Sequence, residues 1–152
     1  MPIPVGFTQH TSGYWMKTSD QSGPYTFDGT NISLASPSTG ISASSGNVAN
    51  ASAVATLAAV AGKTTYITGL AITGSGATVG SIVVATVAGL SGGTASHIFE
   101  SPTGATVGST PLVLQFTPPL PASAVNTAIV VTLPALGAGN TNAAVTAWGY
   151  QQ

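Results

Sequence analysis

The side chains able to do acid–base or metal chemistry are few. Lys17, Lys63, Asp20, Asp28 and Glu100 are the only charged residues, and His10 and His97 the only histidines. Hydrolysis of a glycoside needs two carboxylates held about 5 to 10 Å apart. Asp28 sits in "FDGT", where Asp-Gly is a turn signature, and Asp20 lies in a Ser-rich loop, so both are expected to shape the chain rather than to catalyse. The histidines are far apart in sequence, and no H-x-x-x-H pair or Asp cluster accompanies them, so no metal site is expected. His97, in "ASHIFE", alternates with Ala95 and Phe99 and is expected to share a strand face with them. Serines are plentiful, but no G-x-S-x-G elbow surrounds any of them. The glycine run "TGSGATVG" at 73–80 has the spacing G-x-G-x-x-x-G, contains no Lys and leads into a strand, so a hairpin loop is expected there rather than a phosphate cradle. There is no cysteine, hence no disulfide framework and no thiolate ligand. Two N-x-S sequons, at Asn31 and Asn50, carry little meaning in so Ser-rich a chain. No catalytic, metal-binding or cofactor-binding residue is expected, and the enzyme class is set aside.

Aromatic rings remain as the groups with most to offer a partner. Phe7, Tyr14, Trp15, Tyr25 and Phe27 lie in the first part of the chain, and Trp148 and Tyr150 near its end. Each ring offers about 150 to 250 Å² of burial. Trp148 and Tyr150, two residues apart, are expected on one face of a strand, where they would form a core or trimer-interface pair, or else stack on sugar rings.

Composition limits the partners further. Charged residues make up 3% of the 152, against about 25% in ordinary soluble domains, and none follows Glu100. A chain with two basic residues has neither the stripe that neutralises phosphates nor the cluster that draws proteins to anionic lipid, so neither nucleic acid nor membrane is expected as a partner. Mean hydropathy is +0.41, yet "ASAVATLAAVAG" and "GSIVVATVAGL" fall short of the roughly 18 to 20 apolar residues that span a bilayer as a helix. The first residues, "MPIPVGFTQH", lack the basic and apolar regions of a signal peptide.

The elements that must position these groups read as strands. Residues 1–48 hold widely spaced aromatics among Ser, Thr, Gly and Pro, and are expected to form an extended N-terminal arm that orders against another surface, in its own chain or a neighbour. Residues 49–152 show short apolar runs divided by turn residues, the pattern of an all-β sandwich or barrel domain. Strands are expected at 53–60, 64–73, 80–88, 94–100, 111–117, 127–134 and 142–150. The first also satisfies helical spacing through Val54, Leu57, Ala58 and Ala61, but its Ala/Thr/Val mixture and the following Gly-Lys-Thr-Thr favour a strand. Alternation assigns Leu112, Leu114 and Phe116, and again Ile129, Val131 and Leu133, to the core. "SIVVATVA" is apolar on both faces, which implies a strand whose outer face is covered as well.

Two stretches, "AGKTTYITGLAITGSGATVGSIVVATVAGLSGG" and "TPLVLQFTPPLPASAVNTAIVVTLPALGAGNTNAAVTAWGYQQ", resemble small structural proteins encoded in tailed-bacteriophage and prophage genomes. The elements carrying the resemblance are the "AGKTTYITG" turn into a strand, the "PPLPAS…NTAIVV" hinge and strand, and the closing "GNTNAAVTAWGY". It implies an all-β, jelly-roll-like antiparallel β-sandwich with an extended N-terminal arm, a capsid decoration (cement) protein on the outer surface of the phage head, made in the host cytoplasm and commonly trimeric. The major capsid protein and further copies of the chain would be its partners. On that expectation the aromatic arm, through Phe7, Tyr14, Trp15, Tyr25 and Phe27, docks on the capsid or an adjacent protomer. The alternative from another class is the knob of a phage fibre or tail tip, a β-sandwich that binds glycan.

Overall fold

The computed structural model describes residues 38–152 except Ala105, and, of the residues before them, four short strands. The chain divides into two compact units, Met1–Pro37 and Ser38–Gln152. In the first, β1 (Phe7–Gln9), β2 (Trp15–Lys17), β3 (Tyr25–Phe27) and β4 (Ile32–Leu34) pair antiparallel in sequence order. Phe7, Trp15, Tyr25 and Phe27 therefore fall on strands, with Trp15 in register with Tyr25, whereas Tyr14 lies outside the described residues.

Eight strands build the second unit: β5 (Thr39–Ser44), β6 (Ala53–Leu57), β7 (Thr65–Ser75), β8 (Ser81–Ala88), β9 (Ala95–Ser101), β10 (Leu112–Pro121), β11 (Ile129–Leu133) and β12 (Asn142–Gln151). The fold is all-β, two antiparallel four-stranded sheets ordered β10-β7-β12-β5 and β6-β11-β8-β9. The pairing is nested: β8 pairs with β9, β7 with β10, β6 with β11 and β5 with β12. Only β8–β9 is a hairpin, and every other connection in this unit passes from one sheet to the other. The 76–80 segment, expected as a hairpin loop, is one of these crossings, because β7 and β8 belong to different sheets. Crossings of this kind suit short strands, since each sheet gains an inward face for the other to cover.

Period-two alternation accounts for the core. β6 and β11 bury every second residue, Ala53, Ala55 and Leu57 against Ile129, Val131 and Leu133. From the facing sheet, Ile67, Leu70, Ile72, Val145 and Ala147 close the interior. Each fully buried Leu, Ile or Val contributes about 1.5 to 3 kcal/mol relative to exposure. Ile67 and Leu70 both point inward although three residues apart, because β7 carries an extra residue: Ile67 faces Gly149 and Gly69 faces Trp148, leaving Thr68 unmatched. The Thr68 hydroxyl donates to the Trp148 carbonyl at 3.2 Å and satisfies that acceptor at the bulge.

All seven expected strands form, with ends shifted by a few residues, and the 53–60 run is a strand. Thr39–Ser44, inside the range expected as arm, forms β5 on the edge beside β12. Leu112, Leu114 and Phe116 are half-buried against the core rather than enclosed by it, because β10 is an edge strand.

Candidate interaction surfaces

Among the residues of the second unit only Lys63 and Glu100 carry charge. Lys63 stands in the β6–β7 turn with its ammonium 3.4 Å from the Thr39 hydroxyl, and Glu100 is exposed on β9. Among the described residues no group of three or more His, Asp or Glu gathers as metal ligands would. Asp20, Asp28 and His10 lie outside the described residues. His97 shares its face with Ala95 and Phe99, as alternation requires, and its Nε2 is buried without a hydrogen-bond partner among the described residues.

Two outer faces carry features that a solitary sandwich does not need. The first lies on β8 and β9. Ile82 and Ile98 are each 73% exposed and Val84 49%, and the register sets Val84 directly across from Ile98. This is the strand whose second apolar face the sequence expects to be covered, and the described residues leave it open to solvent. Three branched aliphatic side chains side by side on a sheet, with Glu100 the one charge of this unit beside them, across from Ile82, amount to an apolar patch of the kind that marks an interaction site. β9 is also the edge of its sheet, so its outward N–H and C=O groups have no strand beyond them in this unit. Beside that edge runs a groove of about 490 Å³, lined by Ile98, Glu100, Val107, Ser109 and Leu112 among others.

The second feature lies on the opposite sheet. Trp148 and Tyr150 share the outer face of β12, as their spacing requires, and both are half-buried. Register brings Tyr66 of β7 beside Tyr150 and Gly69 beside Trp148. The tyrosine rings stack in parallel, centroids 4.8 Å apart and planes within 11°. That separation equals the spacing of neighbouring strands, so the rings stand upright and turn their edges outward. Trp148 lies across Gly69: a β-carbon built at Gly69 would come within 2.7 Å of indole atoms Cε2 and Cζ2, so only glycine leaves room for the ring. Gln115 of β10 is aligned with Gly69, and Ser42 of β5 with Trp148, giving one row across the sheet that reads amide, glycine, indole, hydroxyl. Tyr66, Gly69 and Gln115 were not singled out by the sequence, because only the register shows that they meet Trp148 and Tyr150.

Neither family models nor characterised proteins nor solved structures give any match to this chain.

Proposed function

We propose that the protein is a structural component of a virion, a decoration (cement) protein on the outer surface of a tailed-phage head, with the major capsid protein and further copies of itself as partners. The nested pairing of eight strands into two sheets, with every connection but one crossing between them, is the order of a jelly roll, and we assign the sandwich to that type. The observation that carries the functional reading is the β8–β9 face, where Ile82, Val84 and Ile98 stand exposed in a unit holding two charged side chains. A surface of this composition is held by area and shape, and its contacts are insensitive to salt. We place the contact between copies, in a homotrimer, on this face rather than on Trp148 and Tyr150, which are less exposed.

Decoration acts by linkage. Subunits that bury surface only on the assembled shell stabilise it by mass action, adding about 2.7 kcal/mol per site at a free concentration one hundred times Kd. The first unit, with Phe7, Tyr14, Trp15, Tyr25 and Phe27, supplies the capsid-docking arm in this reading. The test is co-purification. Density-purified particles of the phage or prophage that carries the gene should hold the protein at fixed stoichiometry, on heads in immuno-electron microscopy. Absence from particles, or labelling of the tail tip alone, would overturn the assignment.

A further inference from the structure

We infer that the outer face of the β10-β7-β12-β5 sheet is a binding site for a neutral glycan, centred on Trp148. The inference goes beyond the assembly role and uses the sheet opposite to the face assigned to self-contact, so the two stand or fall separately.

The site has a floor, a wall and a polar margin. Trp148 supplies the floor, lying across the sheet because Gly69 beneath it has no side chain. The stacked Tyr66 and Tyr150 supply a wall two residues along, about 6.8 Å at the rise of an extended strand. Beside Tyr150 on β5 is Gly40, where an added β-carbon would meet nothing within 4 Å among the described residues, which leave that side of the rings without a neighbouring side chain. Gln115 and Ser42 flank the indole across the strands, offering an amide and a hydroxyl, each able to donate and to accept.

A pyranose has a face of C–H groups that packs on an aromatic ring and a rim of hydroxyls that exchange hydrogen bonds with amides and hydroxyls. An indole with such a margin matches both. Charge decides against the other ligands of an aromatic platform. Single-stranded nucleic acid also stacks on aromatic rings, but its backbone needs a basic groove, and the sandwich has one basic residue, Lys63. Acidic sugars are disfavoured for the same reason. A proline-rich peptide needs a slot between rings, and the gap between Tyr66 and Tyr150 is closed by their contact at 4.8 Å.

The experiment is a glycan array probed with the labelled full-length chain, followed by calorimetric titration of the tightest-retained neutral oligosaccharide. Neutral glycans should be retained and anionic ones not. Trp148→Ala should weaken the titrated affinity at least tenfold. Gln115→Ala, on an exposed edge position, should weaken it severalfold without disturbing the fold, and Val79→Ser, on the exposed β7–β8 crossing, should leave it unchanged. The inference is overturned if no neutral glycan is retained, if only anionic glycans or a proline-rich peptide bind, or if affinity survives both Trp148→Ala and Gln115→Ala.

Discussion

Leu136 and Gly74 form a testable lock between the β11–β12 connection and β7. Leu136 is 1% exposed, and a β-carbon built at Gly74 would fall inside van der Waals contact of its Cδ1, with Phe99 Cε1 at 3.5 Å. The leucine thus occupies the space that a side chain at residue 74 would take. Leu136→Ala removes the buried isobutyl group and should cost about 2 to 5 kcal/mol, depending on how far the site collapses. Gly74→Ala alone forces the leucine aside and should cost about 1 to 3 kcal/mol, offset in part by about 0.4 to 1 kcal/mol from the stiffer unfolded chain. Combined, the new methyl fills part of the cavity left by the leucine, so the double variant should be more stable than Leu136→Ala alone. The coupling should be at least about 1 kcal/mol, read from urea midpoints at one protein concentration with unchanged m-values. Additivity within about 0.5 kcal/mol would refute the packing argument, since it would mean the two groups do not share the space.

Asn140 is fully buried, and its Nδ2 donates to the carbonyls of Ser75 at 2.8 Å and Asn142 at 2.9 Å, so Asn140→Ala should cost about 1 to 3 kcal/mol in the same urea assay. Gly89 has φ +86°, and a β-carbon there would collide with the Ala128 carbonyl oxygen, so Gly89→Ala should lower stability by more than about 2 kcal/mol, whereas Gly92→Ala, with open space around it, should change it little. Deleting residues 1–37 should leave the sandwich folded, with its far-ultraviolet spectrum and cooperative melting intact, while abolishing attachment to phage heads.

The strands were legible because β6, β11 and β12 alternate cleanly and segments bearing Gly, Pro or Asn separate the strands. β5 was not, since only Ile41 and Ala43 point inward among Ser, Thr and Gly, and a strand so sparsely apolar looks like a linker. Period two also put Trp148 and Tyr150 on one face. Their companions Tyr66, Gly69 and Gln115 come from two other strands, and the bulge at Thr68 shifts which β7 residues lie outward, a non-local effect that spacing cannot show. Likewise "SIVVATVA" showed two apolar faces, but whether Ile82 and Val84 were covered depended on which elements lay above them.

On the proposed function, this nearly uncharged chain assembles through packing on the β8–β9 face. Sedimentation of the full-length protein at low salt and at about 1 M, where the screening length falls to about 3 Å, tests it directly. A trimer is expected at both salt concentrations, and Ile98→Asp should convert it to folded monomer. A wild-type monomer, or an oligomer that salt dissociates and Ile98→Asp leaves intact, would contradict it.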